Sequence, residues 1–202
     1  IIGGNRFLLA SLIRSAGAAS RDLGLVIDDC ARIVASLKEA LHGPSQGVVT
    51  TGGMGPGNYD LLPQAFAKLG ISPEYTALAV RPGRSTMFGL YRGKPIFALP
   101  GPPPAVFLLF HELVLPALRR MQGQQRPLPP LLRATLTTPI LLKKTGLLNL
   151  KGAVVRLNGK TLTARPARKN EAANAIIHLP PNRKHLLAGE DVSLRLCTPD
   201  FL

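Results

Sequence analysis

Apolar residues recur at every third or fourth position in four stretches of the first 121 residues, a spacing typical of helices that bury one face. The first stretch ends at Gly17, and the second lies between two aspartates and Gly43-Pro44, which suit a helix start and a helix end. We therefore predict helices over residues 5–17, 30–41, 61–69 and 105–121.

Short apolar runs rich in β-branched residues separate these helices and predict strands. The segment Arg92-Gly93-Lys94 between two such runs indicates a hairpin turn. The predicted strands cover residues 20–27, 47–51, 75–80, 86–91 and 95–99. Helices alternating with buried strands favour an α/β domain with a mostly parallel sheet and helices on both faces.

The composition of the chain changes after residue 122. Gly, Gln and Pro dominate the next residues, and few apolar side chains are available for burial. Beyond this point alternating patterns predict strands over residues 131–138, 153–157, 160–164 and 191–197, with Asn158-Gly159 as a hairpin turn. Residues 171–177 have the pattern of one short helix. We predict an α/β domain over residues 1–122, a linker over 123–130 and a small β-rich domain over 131–202.

The chain is strongly basic: it contains 25 Lys and Arg but only 11 Asp and Glu, and its net charge is +14. Such a balance indicates an anionic partner, either nucleic acid or a small polyanion. Aromatic residues are only 5%, Trp is absent and no aromatic RNA-binding motif is present, so nucleic acid is the less favoured partner. No apolar run reaches the roughly 20 residues of a membrane helix. Two distant cysteines suit a reducing cytoplasm.

A glycine-rich run follows the predicted strand 47–51. Its main chain can approach a ligand closely and direct several N–H groups at one anion, and the hydroxyls of the two preceding threonines can join them. Asp60 adds a carboxylate, which indicates that a cation or a proton is also handled there. The candidate anion-binding residues are Thr50, Thr51, Gly52, Gly53, Gly55 and Gly57.

Three further segments follow predicted strands, and in an open parallel sheet the carboxyl ends of the strands are where ligands bind. They are Asp28-Asp29, residues 81–84 with Arg81, Gly83 and Arg84, and residues 100–104 with Pro100 and Gly101. One aspartate suffices to cap the following helix, which leaves Asp28 available for chemistry. The two arginines suit phosphate or oxyanion binding. The helix after Pro104 would offer its free N–H groups as a further anion site.

These motifs resemble the molybdopterin molybdenumtransferase family, the MoeA and gephyrin E-domain proteins. Residues 50–60 (TTGGMGPGNYD) are similar to the family pattern TSGGVSxGDYD, and TTGGxGxG is also similar to the MoaB and Mog adenylyltransferases. Residues 81–85 correspond to RPGKP, residues 98–106 to GLPGNPVSA, and Asn5-Arg6 to the end of DxNR. The family's first strand would precede residue 1, so we expect a fragment.

The resemblance implies insertion of molybdate into adenylylated molybdopterin, with release of AMP and help from Mg²⁺ or another divalent cation. It implies that the glycine loop, with Pro100 and Gly101, holds the substrate and that Asp28 and Asp60 are catalytic and bind the cation. Arg81 and Arg84 would neutralise molybdate or phosphate. A cytoplasmic homodimer is expected.

Several polar positions of the family pattern are replaced in this chain, by Gly3, Gly55, Pro63, Pro102 and Ala105. Each replacement removes a polar group from the expected pocket. A non-catalytic protein that binds or carries molybdopterin or the molybdenum cofactor is therefore the alternative. A basic nucleic-acid-binding module is the third possibility.

Overall fold

The computed structural model of the chain describes residues 3–53 and 61–197. They form two compact units. The α/β unit comprises the described residues of Ile1–Leu78 and Gly83–Gly123, and the β unit comprises Ala79–Pro82 and the described residues of Gln124–Leu202. The chain thus enters the β unit briefly before it completes the α/β unit.

The secondary structure alternates in the α/β unit and consists of strands in the β unit. The helices are α1 Gly4–Ser15, α2 Cys30–His42, α3 Leu61–Lys68, α4 Pro103–Leu109 and α5 Leu115–Met121. The strands are β1 Val48–Thr51, β2 Pro73–Tyr75, β3 Val80–Arg81, β4 Met87–Tyr91, β5 Lys94–Leu99, β6 Leu132–Leu136, β7 Ile140–Leu141, β8 Leu148–Asn158, β9 Thr161–Pro166, β10 Ala175–Leu179, β11 His185–Leu186 and β12 Asp191–Leu196. None of the described helices has the length and apolar character that crossing a membrane requires.

The predicted helix 105–121 is present but is not a uniform α-helix. A π-helical turn, Phe110–Val114, joins α4 to α5. Pro116 has no N–H for the carbonyl four residues earlier, and a wider turn at this place accommodates that loss. His111 lies in this turn between the rings of Phe107 and Phe110. Its burial lowers the pKa of the imidazole, which suits a neutral packing residue.

The sheet of the α/β unit is mixed, with strand order β1-β5-β4-β2. Strand β1 pairs with β5 in parallel, whereas the β5–β4 and β4–β2 pairs are antiparallel. The predicted mostly parallel sheet is therefore not confirmed in the described residues. The predicted hairpin is confirmed: Arg92 and Gly93 both have positive φ, of 50° and 79°, and reverse the chain in two residues.

Helices lie on both faces of this sheet. Ile96 and Ala98 of β5 belong to a buried cluster with the apolar faces of α2 and α3. Phe97 and Leu99 point to the opposite face by the alternation of a strand, where α4 contacts β5 and α1 contacts α4. This packing fixes the start of α1 and the ends of β1 and β5, which form the candidate site.

The strand predicted over residues 20–27 is wrong, because this segment has no regular structure. Its apolar side chains are largely exposed, with Leu25 at 67% and Ile27 at 63%. A buried strand needs a neighbour that pairs with its backbone, and none of the strand pairings in residues 3–53 and 61–197 includes this segment. The apolar run alone did not supply that information.

The β unit is a closed ring of five strands. The order β10-β12-β6-β9-β8 is completed by pairing of β10 with β8, and β3 adds to the outer edge of β8. A cluster of buried apolar side chains from these strands and from β7, β11 and their neighbours forms the core of the unit. Its buried core is Ala134, Leu136, Ile140, Leu142, Ala153, Val155, Ala164, Ala175, Ile177, Leu179, Leu186, Val192 and Leu194.

The short helix predicted over residues 171–177 is also wrong. Residues 175–179 form β10, which pairs with both β12 and β8 and is buried along most of its length. The Asn174 side chain accepts from Val155 N and donates to Val155 O at 2.8 and 3.1 Å, which holds the strand start in the ring. The predicted hairpin near Asn158 is confirmed one residue later, since Asn158 pairs with Thr161 across Gly159 and Lys160.

The β unit contains an ion pair whose loss at low pH can be measured. Arg165 donates to both oxygens of Glu171 at 2.7 and 2.5 Å, and Arg168 N donates at 2.8 Å. These bonds lower the pKa of Glu171 from 4.5 to about 2. A depressed carboxylate pKa stabilises the fold fully above the unfolded value and progressively less as pH falls toward the folded value.

We therefore expect thermal unfolding of the wild-type protein to lose stability between pH 4.5 and about 2 more steeply than that of Glu171→Gln. Asp191→Asn is the matched control, because Asp191 accepts a bond from the Thr135 hydroxyl, whereas Glu171 accepts three bonds, two of them from an arginine side chain. Equal pH dependence in Glu171→Gln and the wild type would contradict the role of this pair.

Candidate functional site

Two of the four predicted segments meet at one edge of the sheet. Strands β1 and β5 run in parallel and their last ladder pair is Thr51 with Leu99. Gly52 N then donates to Leu99 O at 3.0 Å. The main chains remain close beyond the strands, since a Cβ placed on Gly101 would lie 3.9 Å from Gly52 Cα. Thr50, Thr51, Gly52, Gly53, Pro100 and Gly101 thus belong to one small region.

The N-terminus of α1 is the third element of this region. Asn5, in the first turn of α1, donates from Nδ2 to Gly101 O at 2.7 Å and to Thr51 Oγ1 at 3.3 Å. Sequence analysis identified Asn5 only as part of a motif resemblance and assigned it no role. The available signal was a short polar side chain in the first turn of a predicted helix that follows glycines. We call Asn5, Thr50, Thr51, Gly52 and Gly101 the rim cluster.

The geometry of the rim cluster suits an anion. The backbone N–H groups of Gly4 and Asn5 have no bond among the described residues, and they carry the positive end of the twelve-residue helix α1. Gly52 and Gly53 have φ of 82° and 71°, where side chains other than glycine are strained. The other predicted loop residues, Gly55, Gly57 and Asp60, lie outside the described residues.

Two polar atoms in the rim cluster, Asn5 Oδ1 and Thr50 Oγ1, are buried and have no partner among the described residues. An unsatisfied buried polar atom costs about 1–3 kcal/mol. Such a cost is often tolerated where a ligand supplies the missing bond. The Thr50 hydroxyl can donate to an anion, whereas Asn5 Oδ1 can only accept and would need a donor group of the ligand.

We expect Thr50→Val to raise the free energy of unfolding by up to about 1 kcal/mol, because it removes an unsatisfied hydroxyl at nearly constant volume. Thr51→Val is the matched control: Thr51 Oγ1 accepts from Asn5, so its removal leaves a donor unpaired and should lower stability by about 1 kcal/mol. Chemical denaturation of both variants tests this. Similar destabilisation of the two would contradict an unsatisfied Thr50.

The start of α4 is not the anion site that the sequence predicts. Pro103 and Pro104 have no N–H, and the N–H groups of Ala105 and Val106 both donate to Pro102 O at 2.9 and 3.1 Å. The first turn therefore has no free donor. This segment forms a rigid corner between β5 and the helix, and the free helix N–H groups at this edge belong to α1 instead.

The two aspartates before α2 have different environments. Asp29 is the N-cap of α2, and its Oδ1 accepts from Arg32 N at 2.9 Å. Asp28 is exposed and makes no hydrogen bond or ion pair with the described residues. This difference matches the expectation that one carboxylate caps the helix while the other stays available. No described contact joins Asp28 to the rim cluster.

The Arg81–Arg84 turn is divided between the two units: Arg81 lies in the β unit, whereas Gly83 and Arg84 lie in the α/β unit. Gly83 is buried with φ of 124°, and a Cβ there would lie 2.7 Å from Leu109 Cδ2. The turn is further fixed by Thr86, which donates from both N and Oγ1 to Gly83 O. Arg84 is exposed, and its carbonyl accepts from Leu78 N. Gly83 thus has a packing role that the sequence did not indicate.

The described residues contain no cluster of three or more His, Cys, Asp or Glu side chains able to share a metal ion. Mg²⁺ is usually held by one or two carboxylates together with substrate phosphates and water, without an all-protein cage. The exposed, unpaired Asp28 fits that type of site as a single ligand.

The chain is similar to known proteins. Residues 2–120 match the family model described as "Probable molybdopterin binding domain". A molybdopterin molybdenumtransferase of Staphylococcus aureus (strain COL) is 29% identical over 181 residues, which cover 86% of this chain and 43% of the relative. One from Staphylococcus epidermidis is 30% identical over 157 residues, covering 74% and 37%. The chain spans less than half the length of these curated relatives.

Solved structures show the same fold. The molybdopterin biosynthesis MoeA protein of Pyrococcus horikoshii superposes with a TM-score of 0.78 at 24% identity, covering 96% of this chain and 48% of that one. A molybdenum cofactor biosynthesis protein of Pyrococcus furiosus gives a TM-score of 0.70 at 20% identity, covering 96% and 65%. Like these proteins, the chain combines helices with mixed sheets.

Proposed function

This chain belongs to the family of probable molybdopterin-binding domains, and from that premise we propose that its rim cluster binds the anionic part of molybdopterin. We propose further that the protein acts in molybdenum cofactor biosynthesis by inserting molybdate into adenylylated molybdopterin, with release of AMP. Molybdopterin and molybdate are then its substrates.

The rim cluster is the main structural support for this function. The start of α1 and the ends of β1 and β5 are joined by two bonds from one side chain, Asn5. Free N–H groups, threonine hydroxyls and positive-φ glycines lie together there, and all of them can donate to phosphate oxygens or let the phosphate approach the main chain.

In this mechanism the protein acts mainly by positioning and electrostatics. The α1 N-terminus and the N–H group of Gly53 hold the phosphate, Gly52 lets the main chain approach it, and Thr50 and Thr51 orient it. By the family resemblance, Gly55 and Gly57 also contact the ligand, as do Pro100 and Gly101. Arg81 and Arg84 neutralise molybdate or the departing phosphate.

Asp28 and Asp60 would hold the divalent cation, which when bound supplies positive charge to the phosphoanhydride. The support from the structure is the exposed carboxylate of Asp28, which no described residue engages. A carboxylate left unpaired beside a helix-capping aspartate is available to a ligand without any rearrangement of the fold.

An assay of AMP release from adenylylated molybdopterin tests the function. We expect release that depends on molybdate and on a divalent cation, and that stops when either is omitted. Binding of the substrate without any release would contradict the transferase and leave the carrier protein. Two observations favour the carrier protein. Pro102 and Ala105 replace polar residues of the family pattern, and the start of α4 has no free N–H donor.

The homodimer is also a proposal, supported by the family resemblance. Light scattering coupled to size-exclusion chromatography tests it, with an expected mass of twice the 21.6 kDa of the chain. A monomeric mass at assay concentrations would contradict it.

A further inference from the structure

The side-chain nitrogen of Asn5 donates both of its hydrogens. The side-chain nitrogen has two hydrogens, and they are donated to Gly101 O at 2.7 Å and to Thr51 Oγ1 at 3.3 Å. A main-chain carbonyl can only accept, so the contact with Gly101 O fixes which end of the amide faces it. The oxygen, Oδ1, therefore lies on the other side, where it is buried and accepts no bond from the residues that the structure describes.

We propose that Asn5 is a positioning residue of the rim cluster, one that acts on the ligand through Thr51 and Gly101. It holds the loop after β5 against the end of β1. It also occupies an acceptor site of the Thr51 hydroxyl, so that the hydroxyl proton is available to donate to an anion. The ligand is the anionic substrate of the proposed function, and only that identity rests on the proposal above.

The position of Asn5 relative to the sheet explains why such a tie is needed. Regular pairing of β1 with β5 ends at Thr51 and Leu99, and the Gly52–Leu99 bond is the last main-chain link between them. Gly101 lies two residues beyond that pair and is exposed. Without a further tie, its carbonyl and the neighbouring loop would be free to move away from Gly52.

Asn5 is not the cap of helix α1. The N-cap is Gly3, which makes no side-chain cap bond, and Asn5 follows it inside the first turn. Two other side-chain contacts tether the helix: Arg6 pairs with Asp22 at 2.7 Å, and Gln122 donates to Ala16 O at 2.9 Å. The bonds of Asn5 therefore hold the two strand ends more than they hold the helix.

Gln122 provides a matched control. Like Asn5, it uses a primary amide to donate to a main-chain carbonyl, but it does so at the C-terminal end of α1, away from the rim cluster. Asn5→Ala and Gln122→Ala remove comparable bonds from opposite ends of one helix. Asn5→Asp keeps the shape of the side chain and removes both donors.

The first measurement is amide hydrogen exchange of the ligand-free protein. We expect Asn5→Ala and Asn5→Asp to speed exchange about tenfold at Gly52, the factor that corresponds to about 1.4 kcal/mol. Similar acceleration is expected at Leu99 and Gly101, the residues of 99–102 that have an N–H. Gln122→Ala should leave both segments at the wild-type rate. Unchanged exchange in both Asn5 variants would overturn the proposal, whatever the ligand proves to be.

The second measurement is titration with adenylylated molybdopterin. Asn5→Ala should raise its dissociation constant about tenfold or more, and Gln122→Ala should change it less than twofold at equal thermal stability. Equal weakening in the two variants would reduce Asn5 to a general structural role and overturn the proposal. Failure of the wild-type protein to bind would instead contradict the proposed function, and the exchange data would still decide the role of Asn5.

Discussion

Replacing Asp28 by asparagine is expected to lower the rate of molybdate-dependent AMP release by about 100-fold or more, the usual loss when one preorganised electrostatic group is removed from a reaction. Asp28 is exposed and has no partner among the described residues, so the change should leave the free energy of unfolding nearly unaltered. The rate is measured under saturating substrate, and stability is measured by chemical denaturation.

The neighbouring aspartate is the control for this experiment. Asp29→Ala removes the N-cap of α2 and should cost about 1 kcal/mol of stability, while the AMP release rate per folded molecule stays close to the wild-type value. The two variants thus separate function from stability at adjacent positions. A wild-type rate in Asp28→Asn would remove Asp28 from the mechanism.

Replacing Gly83 by alanine is expected to lower the free energy of unfolding by about 2–4 kcal/mol. Part of this loss comes from holding a side chain at φ of 124°. The rest comes from the added Cβ, which would lie 2.7 Å from Leu109 Cδ2 in the buried interior. Because Thr86 fixes the carbonyl of Gly83 with two bonds, the turn cannot easily move to relieve the contact. Denaturant unfolding measures the difference.

Gly93→Ala distinguishes these two contributions. Gly93 also has a positive φ, of 79°, but a Cβ there meets no atom within 4 Å. Its substitution should cost only about 1 kcal/mol, the conformational part of the loss. Equal destabilisation at the two glycines would show that contact with Leu109 contributes nothing to the loss of stability. Ligand binding would then be the better explanation for a glycine at position 83.

The parts of the fold that local patterns determine were predicted from the sequence. Helices α1 to α3 follow their apolar periodicity, and Arg92-Gly93 reverses the chain as such dipeptides commonly do. Errors arose where pairing partners decide the structure. Residues 20–27 have the composition of a buried strand but pair with no described strand. Residues 175–179 become β10 because β8 and β12 lie on either side, a fact that no local window contains.

In the candidate site, too, local patterns could be predicted and long-range contacts could not. The threonines that end β1, the glycines after it and the turn after β5 were predictable, because they carry recognisable patterns at strand ends. Asn5 carries no such pattern by itself, and its role depends on a bond to a residue 96 positions away. The error at α4 was a matter of local chemistry, since the two prolines that begin the helix could already have excluded free N–H groups there.

We propose that an anionic pterin binds where α1 begins and β1 and β5 end. Hydrogen exchange with and without adenylylated molybdopterin tests this binding site. We expect the ligand to slow exchange in residues 3–6, in residues 50–53, and at Leu99 and Gly101 in residues 99–102, and we expect Asn5→Ala to reduce this protection. Binding that protects only the basic β unit, with these three segments unchanged, would rule out the proposed site.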